Sequence, residues 1–241
     1  VVKALEKKGK LTIVEKEVLR DPIPYHIAKY DKHELTDLQE DCLNTILNDI
    51  KHKKHDAFLI HGVTGSGKTE VYLQLIEKYL EKGKDVIVLV PEISLTPQTV
   101  ERFAGRFGEN VAVLHSRLSY GERFDEWRRI REGKVQIVVG ARSAIFAPFK
   151  NLGLVVIDEE HENSYKSSMN PKYDAIEVAE KRCNIEGATL IMGTATPSIE
   201  TYYRAVNGEI GSITLAERVN TKALPETSII DMREELDKGN K

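Results

Sequence analysis

Six short apolar runs punctuate the chain: AFLI at 57–60, VIVLV at 86–90, VAVL at 111–114, VQIVV at 135–139, LVVI at 154–157 and TLIM at 189–192. Each is too short for a helix and lacks the polar–apolar alternation of a half-exposed strand, so each reads as a strand buried on both faces. Between them lie stretches with helical spacing. TEVYLQLIEKYLEKG sets Val71, Leu75 and Tyr79 on one face and stops at Gly83, and SYGERFDEWRRIREG closes at Gly133. Doubly buried strands alternating with helices predict an α/β fold, a mostly parallel sheet with helices on both faces. Ligands of such sheets bind beyond the carboxyl ends of the strands. The residues just after each run are therefore the ones to read for chemistry.

After the first run comes GVTGSGKT: Gly62, Val63, Thr64, Gly65, Ser66, Gly67, Lys68 and Thr69. This is a complete G-x-x-x-x-G-K-[ST] match with a strand before it and a helix after it. Its glycines let backbone N–H groups close around phosphate oxygens, and the following helix contributes its positive end. Lys68 is expected on the β- and γ-phosphates of ATP, and the Thr69 hydroxyl on Mg²⁺.

The fifth run ends in DEEH. Asp158, at the carboxyl end of a buried strand, is expected to hold the Mg²⁺ that bridges the phosphates. Glu159, one residue on, is expected to orient and deprotonate the attacking water. ATP hydrolysis is the predicted chemistry.

Composition adds limits. The chain has 241 residues, of which 41% are hydrophobic, enough to bury a core. Its formal net charge of −3 means that a nucleic-acid partner must be met by a local basic patch. Cys42 and Cys183 form no CxxC pair, which excludes a disulfide framework or a zinc site within this chain and fits a reducing compartment. No apolar run reaches the roughly 18 residues that span a bilayer, so no membrane partner is expected. The chain begins without Met and ends in REELDKGNK, and is expected to be a piece of something larger. Residues 1–25 read as a helix-like start, a Gly turn, a period-2 stretch (Leu11, Ile13, Val18) and a linker at Pro22 and Pro24. They are expected to be the tail of a preceding domain, with the main lobe at 26–241.

The phosphate loop, DEEH and GTATPS (Gly193–Ser198) together resemble the first motor lobe of superfamily-two DExH helicases, and LTDLQ resembles their glutamine motif. The blocks LIHGVTGSGKTEVYL, LVPEISLTPQT, LHSRLSYGERFDEW, GARSAIFAPFKNLGLVVIDEEHENSYK and MGTATPSIE are similar to the bacterial replication-restart helicases. The resemblance runs from Leu35 to about Met232. It implies a RecA-like P-loop lobe, preceded by the end of a winged-helix domain, and it places Gln39 on the adenine. It also implies a second motor lobe, whose arginine completes the ATP site, and a zinc-binding insertion. Both lie outside this chain, so zinc is expected only in parts absent here, and hydrolysis by this segment alone is expected to be weak.

By the same resemblance a single DNA strand crosses near PEISLTPQT and GARSA, with Arg142 and Ser143 on phosphates. An aromatic-rich loop after the acidic box is expected to meet DNA through Tyr165, Lys166, Lys172 and Tyr173. Aromatic faces stack on any base while lysines follow phosphates. His161 is expected to couple the two sites through a hydrogen bond to Thr194 or Thr196. The chain departs from the family pattern at Asp174 and Ile176, where His and Arg are usual, which puts the relay in doubt. Trp127 is expected in the core.

The resemblance further implies 3′-to-5′ movement on single-stranded and forked DNA, replication-restart proteins and the loader of the replicative helicase as partners, a monomer, and a cytoplasmic, nucleoid-associated location. A RecG-like or restriction-type translocase and a non-catalytic nucleotide-gated scaffold are the competing readings.

Overall fold

The computed structural model describes residues 1–14, 20, 28–219, 230 and 233. Its strands are β1 (Ala57–Gly62), β2 (Asp85–Leu89), β3 (Val111–Leu114), β4 (Ile137–Gly140), β5 (Leu152–Asp158), β6 (Thr189–Thr194) and β7 (Gly211–Leu215). They form one sheet in the order β3-β4-β2-β5-β6-β1-β7, and every pairing is parallel. The helices are α1 (Val2–Lys7), α2 (Asp37–Lys51), α3 (Lys68–Leu80), α4 (Pro97–Phe107), α5 (Tyr120–Arg131), α6 (Ala175–Glu186) and α7 (Ile199–Val206).

The six apolar runs become β1 to β6. β7 carries no such run, because GSITL keeps one face toward solvent: Gly211 and Leu215 are buried while Ser212 and Thr214 are exposed. An edge strand of that kind needs no continuous apolarity.

Alternate residues of the strands build two cores. Phe58, Ile60, Val86, Val88, Val156 and Ile191 pack with α2, α3 and α4 on one face. Leu59, Ile87, Leu89, Val155, Ile157 and Met192 pack with α5, α6 and α7 on the other. Each such fully buried branched side chain contributes about 1.5–3 kcal/mol. This double cover holds the carboxyl ends of β1, β5 and β6 level with one another. Asp158 pairs with Gly193, and Thr194 with His61.

Gly193 has a steric reason. A Cβ there would lie 1.5 Å from the Tyr72 hydroxyl, so the buried tyrosine of α3 requires glycine on β6.

In the N-terminal piece, α1 buries none of its residues, and Gly9 turns the chain at φ +66°. Residues 11–14 form no strand, and Ile13 and Val14 are exposed. Val18, the Pro22–Pro24 linker, the boundary at 25/26 and Met232 lie outside the described residues. Arg20 is described: its backbone N–H and its guanidinium donate to Asp125 Oδ2 at 3.1 and 3.3 Å.

Candidate functional site

The loop between β1 and α3 folds as its glycines dictate. Gly65 and Gly67 sit at φ +84° and +80°, backbone that only glycine adopts without strain. A Cβ on Gly67 would also lie 2.1 Å from Gln39 Nε2. Lys68 is buried, its Nζ donating to Gly62 O at 2.7 Å. Ser66 Oγ is buried in the loop with no hydrogen-bond partner among the described residues. A buried cation, an unsatisfied hydroxyl and a helix N-terminus make this loop fit the phosphates of a nucleotide.

Gln39 lies against the loop. Thr36 and Gln39 form a capping box that starts α2, and Gln39 Nε2 donates to Ser66 O at 2.9 Å. Gln39 therefore braces the phosphate loop. A carboxamide carries two donors and two acceptor lone pairs, so that bracing still leaves capacity for an adenine edge.

Asp158 ends β5 opposite this loop, with the Tyr72 hydroxyl donating to its Oδ1 at 3.2 Å. Burial pushes its carboxyl above the usual carboxylate range and the Glu159 charge adds to this, while Lys68 and the Tyr72 bond pull it down. A buried carboxylate beside a second acid, with Thr69 lining the same cleft, is a donor set that fits Mg²⁺. Glu159 is one of two non-glycine residues with positive φ among those described, at +48°. Such backbone costs about 1–3 kcal/mol and clusters at functional sites. The cleft holding Thr64 to Thr69, Asp158 and Glu159 measures about 490 Å³.

His161 Nδ1 lies 2.6 Å from Thr194 Oγ1, and Thr196 N donates to the same oxygen at 3.1 Å. The acidic box is thus joined to the third motif through Thr194 rather than through the exposed Thr196 side chain. Glu160, passed over in the sequence, adds a second tie. It is buried, and its Oε1 accepts from Ser198 N at 2.9 Å and Ser198 Oγ at 3.1 Å.

A family model, ResIII, described as the res subunit of type III restriction enzymes, matches residues 32–199. The chain belongs to the ResIII family. Over its whole length this ResIII chain is 54% identical to replication restart protein PriA of Bacillus subtilis and 46% identical to that of Synechocystis. It spans about 30% of the length of those relatives. Among solved structures, RecG bound to a three-way DNA junction matches with a TM-score of 0.61 at 26% identity, over 86% of this chain and 27% of that one. The Pyrococcus furiosus Hef helicase domain matches with a TM-score of 0.54 at 22% identity, over 73% of this chain and 38% of that one, a likeness of fold alone. The sheet and its helices are a RecA-like lobe.

The ResIII lobe corrects the expectation for Tyr165. Its ring is 1% exposed, and its hydroxyl donates to Asp158 O at 2.5 Å and Leu89 O at 3.2 Å. No face is available to a base. Tyr165 packs into the core because the segment after DEEH turns back under β2 and β5, where a phenol satisfies carbonyls at strand ends. Burial holds its hydroxyl well above the usual tyrosine range, so it stays a donor. Tyr165→Phe is expected to lower stability by about 1–3 kcal/mol, read as a fall in Tm of about 2–4 °C per kcal/mol. An unchanged melting curve would remove Tyr165 from the support of Asp158.

The rest of the loop stays at the surface. Lys166 bridges Asp174 in antiparallel fashion and Ser167 N donates to Tyr173 O at 2.8 Å, so 166–174 fold as a hairpin. Lys166 and Lys172 are exposed, and the half-buried Tyr173 meets Phe146 edge-on at 5.1 Å. Arg142 donates from Nη1 to Ser164 O at 3.0 Å and Lys166 O at 3.4 Å, bracketing Tyr165, while Ser143 beside it is exposed. Asp174, the departure from the family pattern, caps α6 by accepting from Ile176 N at 2.8 Å.

Two further differences stand out. Trp127, expected in the core, is 38% exposed. Tyr30, His33 and Arg102 line the cleft of the phosphate loop, and nothing in their local sequence marks them.

Proposed function

We propose that this chain is the ATP-binding lobe of a longer DNA motor, an ATP-hydrolysing 3′-to-5′ helicase of the replication-restart type. One observation carries the reading: Lys68 and the phosphate loop face Asp158 and Glu159 across a single cleft, and the loop after Glu159 runs directly to exposed lysines and an aromatic. The 54% identity to the Bacillus subtilis PriA protein across the whole of this chain supports the replication-restart role, and the likeness to RecG on a three-way junction supports forked DNA as a partner. A scaffold reading leaves Lys68, Asp158 and Glu159 without a task.

In this mechanism Gly62 to Thr69 wrap the phosphates and Lys68 neutralises the charge that develops on them. Thr69 and Asp158 would hold Mg²⁺, which when bound offsets phosphate charge. Glu159 takes the proton of the attacking water. Tyr72 and Tyr165 fix Asp158 from its side chain and its backbone. Gln39, with Tyr30 and His33, meets the base. Arg142, Ser143, Lys166, Lys172 and Tyr173 meet single-stranded DNA, and movement of the hairpin reaches Asp158 through the bracket around Tyr165. His161, Thr194 and Thr196 carry the nucleotide state to the third motif. An arginine from a second lobe of the longer protein completes hydrolysis, so the lobe alone turns over slowly. Residues 1–25 end a winged-helix domain in this reading. Restart proteins, the loader of the replicative helicase, zinc binding elsewhere, a monomeric state and a cytoplasmic, nucleoid-associated location belong to the same proposal. Among the described residues no helix is long and apolar enough to cross a membrane.

The test is ATPase of the full-length protein with and without single-stranded DNA, beside Tyr173→Ala. DNA is expected to stimulate the wild type. Loss of one stacking face, about 1–3 kcal/mol, is expected to raise the DNA concentration for half-stimulation about 5- to 150-fold and leave the DNA-independent rate unchanged. A wild-type rate indifferent to DNA would sink the motor reading.

A further inference from the structure

The outward face of α5 carries three aromatics that the core does not use. Tyr120, Phe124 and Trp127 are 91%, 63% and 38% exposed and stand at i, i+4 and i+7, one stripe of the helix. With Arg123, Arg128 and Arg131 they line a groove of about 590 Å³. The Arg123 guanidinium lies 6.0 Å from the Tyr120 ring centre.

The acids of the same helix are turned away or engaged. Asp125 and Glu126 are buried, accepting from Arg20 and from Val113 N and Arg129 respectively. Glu122 caps its own helix by accepting from Ser119 N at 2.8 Å. Glu132 pairs with Lys134 at 2.7 Å and Arg128 at 3.8 Å. The groove therefore presents aromatic faces and guanidinium groups in a chain whose net charge is −3.

Its place in the fold is at the same end of the sheet as the proposed DNA path. α5 starts a few residues after the carboxyl end of β3. That end is joined to the end of β4 by Ala141 N donating to Leu114 O at 3.1 Å. Arg142 and Ser143 follow directly.

We infer that the outward face of α5 is a second contact for single-stranded DNA, with Tyr120, Phe124 and Trp127 as a stacking stripe and Arg123 and Arg131 on the flanking phosphates. This rests on the motor reading only in taking DNA as the ligand. Charge favours a polyanion, and flat side chains alternating with arginines suit bases alternating with phosphates. Along the helix the aromatics are spaced by about 6 and 4.5 Å, one to two nucleotide rises of about 3.4 Å. A stable protein partner covers about 20–30 residues a side, which is more than this one-helix stripe offers.

The test is fluorescence anisotropy of the full-length protein with a labelled oligo-dT, across a salt series. Tyr120→Ala with Phe124→Ala is expected to weaken binding at least tenfold and leave the melting temperature and Mg-ATP affinity as in the wild type. Arg123→Gln with Arg131→Gln is expected to reduce the slope of log K against log salt by about 1.4, from about 0.7 per phosphate contact on a single strand. Affinity within twofold of the wild type together with an unchanged salt slope in both variants overturns the inference. So does a lowered melting temperature with unchanged DNA affinity, which assigns the face to another part of the same polypeptide. Unchanged DNA binding by the variants alongside DNA-stimulated ATPase in the wild type defeats only this inference. Failure of the wild type to bind Mg-ATP defeats the motor reading.

Discussion

Lys68→Ala is expected to leave the lobe folded and to lower DNA-stimulated ATP turnover of the full-length protein by about 10²–10³-fold, the scale for removing one preorganised group aimed at developing charge. Lys68 is buried yet donates within the molecule to a carbonyl, Gly62 O, and its ammonium helps hold Asp158 ionised against burial. Alanine therefore removes the cation from the phosphates and also leaves the Asp158 carboxyl higher still, weakening the two sides of the cleft together. Both binding and turnover should suffer. Titration with a fluorescent nucleotide separates the two, and turnover within twofold of the wild type would end the phosphate-loop assignment. The core should not notice, since Lys68 belongs to neither apolar cluster.

Much of this is legible in the sequence. Continuous Val/Ile/Leu runs too short for helices mark strands covered on both faces, and they locate six strands and the edge where Lys68 and Asp158 meet. β7 escaped because an edge strand half in solvent has no such run. The two aromatic errors run in opposite directions, and one physical cause underlies both. Trp127 is expected inward from the ordinary habit of helix aromatics, and Tyr165 outward from the resemblance of its loop to the family's. In α5 the inward positions belong instead to Asp125 and Glu126, because Arg20 and the edge of β3 supply the partners that make buried acids tolerable. That displaces the indole to the surface. At Tyr165 the strand-end carbonyls of Leu89 and Asp158 create a buried acceptor pair that a phenol fills. Partners from distant segments decide such cases, and spacing along one segment carries no record of them. The same holds for Tyr30, His33 and Arg102, which converge on the cleft from the segment before α2 and from α4.

Glu159→Gln is expected to separate what Lys68→Ala combines. The substitution keeps size and hydrogen-bonding reach but removes the base, so turnover should fall by about 10²–10⁴-fold with nucleotide affinity close to the wild type. The backbone explains why the position tolerates the change. Glu159 is held at φ +48° by bonds that do not involve its side chain, with Glu160 N donating to Gly193 O at 3.1 Å and Glu162 N to Glu159 O at 3.0 Å. Glutamine inherits that geometry. It also removes the charge that adds to burial in raising Asp158, so that carboxyl should move down toward its ordinary range and Mg-ATP binding should not weaken. A single-turnover measurement with prebound nucleotide checks this directly. If affinity and turnover drop together, Glu159 acts in holding the ligand, and the base must be sought elsewhere in the cleft.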